Sequence, residues 1–211
     1  MSNKNKLLVS INRRRVLQLM AAMGTATMFD GYAFPNLDAE KKQQGYGPDV
    51  DMNKPEPTWE KSLTENQLKN LRVLGDIIIS ADETSPAAGE LNIADFINEW
   101  VSAPYPVQQQ DREIIITGLK WLDKEAGKQQ VRRFHLLSEQ KQVALFDHLA
   151  VAVKQGQAEA MQEKFFERLV YLFVGGYYTT REGMADIGYT GNVPLTKFDG
   201  PPAEVRRRLG V

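Results

Sequence analysis

The chain reads as a small all-α domain, a bundle of about five helices with a glycine- and aromatic-rich irregular C-terminal tail. Three observations carry this reading. Five segments place Leu, Ile, Val, Phe and Trp at the i, i+3, i+4 and i+7 spacing of one buried helix face. No segment sustains the alternation of a half-buried strand: the β-branched run 77–79 falls at the end of one helical segment and 114–116 lies inside another. Finally, 211 residues with 42% apolar and 25% charged side chains suit one core with appendages.

The elements follow in order. Thr64 opens the first helix, and Gln67 three residues on completes a capping box ahead of Leu68, Leu71, Leu74 and Ile78. Residues 80–89, SADETSPAAG, form a loop. Asn92 caps a second helix whose Ile93, Phe96, Ile97, Trp100 and Val101 make one apolar face, and the prolines of SAPYP stop it. A third runs from Val107 to Ala126, buries Ile115, Gly118, Leu119 and Leu122, and has Gly127 as its stop. Within it, Asp111-Arg112-Glu113 reads as a charged helix start that suits the dipole. Ser138 caps a fourth helix through Val153, with Val143, Phe146, Leu149, Ala150 and Val153 inward. The fifth, Ala158 to Val174, carries Phe165, Phe166, Leu169, Val170 and Phe173 and stops at Gly175-Gly176.

Ahead of the bundle the sequence reads as an export signal, the alternative being a basic amphipathic arm that stays in the cytoplasm. Asn12-Arg13-Arg14-Arg15-Val16-Leu17-Gln18 fits the twin-arginine pattern, with Arg13 and Arg14 as the pair, and a short apolar run rich in Ala, Gly and Thr follows. That run is too short for a spanning helix. The chain therefore divides into a signal segment 1–34, a proline-broken tether 35–61 anchored by Trp59, and a helical domain with its tail, 62–211. The expected location is the periplasm. The twin-arginine route carries folded proteins, usually with a cofactor or partner already in place.

Little in the sequence points to chemistry. With no cysteine, the chain has no disulfide, thiolate metal site or C-x-x-C-H haem attachment. His135 and His148 lack helical metal spacing, and His148 in LFDHLA reads as a helix-surface or groove residue. There is no G-x-S-x-G, P-loop or G-x-G-x-x-G, and a net charge of −1 gives no reason to expect nucleic acid. We therefore expect no catalytic residue, no cofactor-binding residue and no metal ligand in this chain.

The tail is the informative part. GGYYTTREGMADIGYTGNVP holds five glycines and three tyrosines. Three regions carry a resemblance: LTENQLKNLRVLGDIIISADETSPAAGELNIADFI, the segment GLKWLDKEA, and the tail residues Gly176-Tyr177-Tyr178-Thr179, Gly183, Gly188-Tyr189, Gly191-Asn192, Pro194 and Gly200. Over residues 62–200 the chain resembles the gluconate 2-dehydrogenase subunit 3 family, although Ser80 stands where the family commonly has proline. Many relatives carry cysteines, and their absence here rules out a covalent link to a partner.

The resemblance implies a non-catalytic small subunit. Its partners would be a large FAD-holding flavoprotein of the glucose–methanol–choline type, which oxidises a sugar or sugar acid, and commonly a multihaem cytochrome c carrying haem c. The family's small subunit is thought to assist maturation and twin-arginine export of the flavoprotein. Trp59, Tyr177, Tyr178, Tyr189 and Phe198 are then the expected partner contacts, being large and rigid; the alternative is that the tail aromatics fold back over the helices as a C-terminal lid and that Trp59 docks on the domain itself. The competing expectation is a stand-alone periplasmic binding or structural protein.

Overall fold

The computed structural model describes residues 57, 59–189, 191, 197, 200–201 and 203–210. The arginine pair at 13–14, most of the tether and Phe198 lie outside them. Within them are α1 (Glu65–Ile78), α2 (Ile93–Ser102), α3 (Pro106–Lys128), a 3-10 turn (Phe134–Leu136), α4 (Glu139–Lys154), α5 (Ala160–Tyr178), α6 (Arg181–Asp186) and α7 (Ala203–Leu209). No strand occurs among the described residues.

Helix α5 is the hub. It packs against α1, α2, α3, α4 and α6. Its Phe165, Leu169 and Phe173 meet Leu71, Leu74 and Ile78 of α1, Ile97 and Val101 of α2, and Ile115, Leu119 and Leu122 of α3 in one buried cluster. Each such side chain contributes roughly 1.5–3 kcal/mol by leaving water. The contact with α3 depends on Gly118, where an added Cβ would lie 1.9 Å from the Phe165 ring. Only glycine lets the two helices approach this closely.

Several helix ends differ from the sequence reading. Thr64 and Gln67 do form the reciprocal capping box, with the Thr64 amide donating to Gln67 Oε1 at 2.8 Å. Asn92 and Ser138 occupy N-cap positions, but neither side chain makes a capping bond. Gly127 does not stop α3, which runs on to Lys128. Instead Gln130 takes a φ of 61°, and the Val131 and Gln130 amides reach back to the carbonyls of Ala126 and Gly127. That is a Schellman end with glutamine in the left-handed position. Helix α5 likewise passes through Gly175 and Gly176 to Tyr178. There the Thr179 hydroxyl donates to the carbonyls of both glycines, at 3.0 and 2.8 Å.

A polar network pins the 3-10 turn between α1 and α3. Asn70, with no exposed surface, donates through Nδ2 to Asp123 Oδ1 at 2.9 Å. The same Asp123 oxygen accepts the Phe134 amide, and Oδ2 accepts Arg133 Nη1. Because Asn70 Nδ2 faces a carboxylate, its Oδ1 is left to accept from the His135 amide at 3.0 Å and from the His135 ring Nδ1 at 2.7 Å. The ring is therefore the Nδ1–H tautomer.

Burial holds the His135 ring below its usual 6.5; nearby Lys69 and Arg133 add to this and Asp123 opposes it. The unfolded chain then takes up its proton at higher pH than the folded one. The histidine's contribution to stability is complete above pH 6.5 and declines as pH falls through the window below that value. We predict that His135→Gln flattens this acid-side loss, read as the urea midpoint at several pH values. Equal slopes in variant and wild type would contradict it.

Candidate interaction surface

Two buried arrangements shape the surface around α5. The first joins α2, α3 and α5. Asp111 is wholly buried, and its Oδ2 accepts from Arg168 at 2.5 Å and from the Trp100 indole at 2.6 Å. Arg168 in turn lies 5.9 Å from the Trp100 ring centroid and 4.6 Å from that of Tyr171. Asp111 is thus a core carboxylate binding three helices together, not the dipole-facing start read from the sequence. Its neighbour Arg112 closes the C-terminus of α2, where Nη2 donates to the Ser102 carbonyl at 2.7 Å and Nε to that of Val101.

The second arrangement seats the start of the tail. Gly176 lies where a Cβ would come within 2.8 Å of Phe96, so α2 and α5 touch there. Phe96 itself is displaced outward and is 39% exposed, rather than facing the core. Tyr177 has no exposed surface, and its hydroxyl donates to the Pro86 carbonyl at 2.8 Å. Thr180 caps α6 by accepting the Gly183 amide, and its hydroxyl donates to the Tyr177 carbonyl. Gly183 sits so close to that carbonyl that a Cβ would fall 2.1 Å from it. Ser85 donates to Asp186 at 3.0 Å, tying α6 to the 80–89 loop, whose own turn is closed by Asp82 accepting the Thr84 and Ser85 amides. Gly188, at a φ of 67°, then ends α6, and the Tyr189 amide returns to the Met184 carbonyl.

The residues singled out from the sequence consequently fall into different roles. Tyr177 is a core residue and not an exposed anchor, because its ring fills the α5–loop junction. Tyr178 is half-buried and stands edge-on to Tyr177 at 5.2 Å, whereas Tyr189 and Ile187, two residues earlier, are each 57% exposed. Trp59 docks on the domain: its ring lies edge-on to Tyr105 at 5.9 Å, with its indole nitrogen enclosed and unbonded among the described residues. From there the chain runs along α2. The Ser62 amide donates to Ser102 Oγ, the Leu63 amide to Asn98 Oδ1, and Lys61 pairs with Glu99.

His148 is exposed and borders an open groove of about 340 Å³ between α3 and α4, with Trp121, Glu125, Gln129, Lys141 and Leu145. Among the described residues no group of three or more His, Asp or Glu side chains is placed to hold a metal ion, and no helix is long and apolar enough to cross a membrane. Sequence reasoning missed Phe96 and Tyr171 as surface aromatics and Arg168 as the support of Tyr171. The one available hint was an arginine on an otherwise apolar helix face.

Two outcomes follow. Tyr177→Ala should lower folding stability by about 3–5 kcal/mol, and Tyr189→Ala by well under 1 kcal/mol, measured by denaturant unfolding. Asp111→Ala strands a buried guanidinium beside Trp100 and should cost on the order of 3–5 kcal/mol. A loss under 1 kcal/mol would mean that the pair does not hold α3 to α5.

The profile of the family described as Gluconate 2-dehydrogenase subunit 3 matches residues 65–200. This span begins with the first residue of α1 and continues past α6 into the tail. Comparison with curated proteins and with solved structures gives no match. The profile spans well over half of the chain, and the chain belongs to the gluconate 2-dehydrogenase subunit 3 family.

Proposed function

We propose that this chain is a non-catalytic subunit of a periplasmic FAD-dependent sugar or sugar-acid dehydrogenase, and that it escorts the large flavoprotein through the twin-arginine pathway. The observation that carries this reading is a subunit 3 domain over residues 65–200 with a twin-arginine pattern at Arg13-Arg14 ahead of it. The domain's interior supports it. Asp111 is engaged by Arg168 and Trp100, and Asp123 by Asn70, Arg133 and the Phe134 amide, so the buried Asp111 and the partly buried Asp123 hold elements of the fold together. FAD belongs to the large subunit in this reading, and haem c to a cytochrome that receives the electrons. The small subunit contributes a folded surface and an address.

A stand-alone periplasmic binding or structural role is the second reading, and the groove between α3 and α4 is the feature that favours it. Its walls are open, with exposed Lys141, Ala144 and His148 along one side, a poor enclosure for a small ligand.

Export separates these readings. Replacing Arg13, Arg14 and Arg15 together with lysine should leave the chain in the cytoplasm; all three are changed because Arg14-Arg15 could serve as a shifted pair. A flavoprotein without its own signal should then be retained as well, and deleting this chain should abolish its periplasmic activity. Equal exported dehydrogenase activity in the deletion strain would remove the escort role and favour the stand-alone reading.

A further inference from the structure

The accessory-subunit reading leaves open which face meets the large subunit, and α5 offers a specific answer. Phe165, Leu169 and Phe173 mark its buried side, and Tyr171 stands opposite them, 48% exposed, at the centre of the outward side. One turn further along is Gly175, and Phe96 of α2 borders the same region through its contact with Gly176. One and two turns before Tyr171 are Glu167 and Glu163. We propose that this outward face of α5, with Tyr171 and Gly175 at its centre, Phe96 at its edge and Glu163 and Glu167 beside them, is where the large subunit docks, setting a basic side chain against the two carboxylates. The inference rests on the accessory-subunit reading.

Three features of the described subunit favour such a contact. Gly175 is helical, has no positive φ, and a Cβ there would meet nothing within 4 Å among the described residues. Neither backbone geometry nor packing among the described residues calls for glycine, which weakens a helix relative to alanine. A flat spot between Tyr171 and Tyr178 lets an incoming backbone approach closely. The second feature is order: the Tyr171 ring lies against an Arg168 guanidinium fixed by buried Asp111, so little rotamer freedom is left to lose on binding.

The third is charge. Glu163 and Glu167 are like charges four residues apart, an arrangement that destabilises a helix. Neither forms an ion pair within 4 Å among the described residues, although Lys164 lies between them in sequence. Partial burial, and then Glu163, push the Glu167 carboxyl above the usual range. A cation delivered by the partner would relieve both effects. An uncharged apolar surface would desolvate two carboxylates without return, so complementarity selects a partner that is apolar opposite Tyr171 and basic opposite the acids.

The test uses the full chain co-produced with the affinity-tagged flavin-dependent large subunit. Gly175→Trp puts bulk on an open helical position; it should leave the melting midpoint of the free subunit unchanged or raised and weaken association by about thirtyfold or more. Val151→Trp, at an exposed position on α4, should leave association unchanged. Glu163→Gln with Glu167→Gln should flatten the salt dependence of association. Wild-type binding with an unimpaired Gly175→Trp variant would overturn this face while leaving the accessory role intact. Failure of the wild-type chain to bind would overturn both. A wild-type homodimer that Gly175→Trp disrupts would assign the face to a second copy of the chain and overturn the proposal.

Discussion

The Asp111–Arg168 pair is the contact on which the rest of this architecture turns. It joins the two longest helices, takes in Trp100 from α2, and places a guanidinium beneath the exposed Tyr171. As a stabiliser it is an expensive choice, since both groups leave water and Asp111 Oδ1 finds no hydrogen-bond partner among the described residues. A pair of well-packed apolar side chains would hold α3 to α5 at less cost. What apolar residues would not supply is orientation: a carboxylate directs the Trp100 indole, and the arginine beside it directs a tyrosine ring.

Close packing provides the second constraint. Gly118 lets Phe165 lie against α3, Gly176 lets α2 meet α5, and Gly183 lets α6 fold back onto the carbonyl of Tyr177. With Tyr177 bonded to Pro86 and Ser85 to Asp186, the start of the tail becomes part of the domain wall. The glycines at the start of the tail therefore serve mainly to bring backbone against side chain or backbone within the subunit. Gly175 is the exception among them: no described residue lies within 4 Å of where its Cβ would be, on the outward face of α5.

The helical segments and their buried faces were legible in the sequence because apolar spacing is a local property. Leu71, Leu74 and Ile78, or Phe165, Leu169 and Phe173, declare a face without any knowledge of what covers it. Helix ends were less legible. A glycine ends a helix only when it adopts positive φ: Gly188 does, Gly127, Gly175 and Gly176 do not, and a glutamine takes that role after α3. The least legible features were pairings between distant residues. Asp111 and Arg168 are 57 positions apart, and Tyr177 and Pro86 are 91 apart, so no local pattern marked either pair. That is why Asp111 read as a surface acid and Tyr177 as an exposed anchor. The family resemblance reached the same domain by a separate route, because its tail motif is specific even where its geometry is not apparent.

If this subunit serves its complex by contact, the ordered aromatic face of α5 is where that contact must register. Hydroxyl-radical footprinting of the free chain and of the chain bound to the large subunit measures that directly, since it reads side-chain exposure residue by residue. Oxidation of Tyr171 and Phe96 should fall on binding, while Leu136, the Trp121 side of the groove, and Val151 stay as reactive as in the free chain. Protection of the groove and Val151 with Tyr171 unchanged would contradict it.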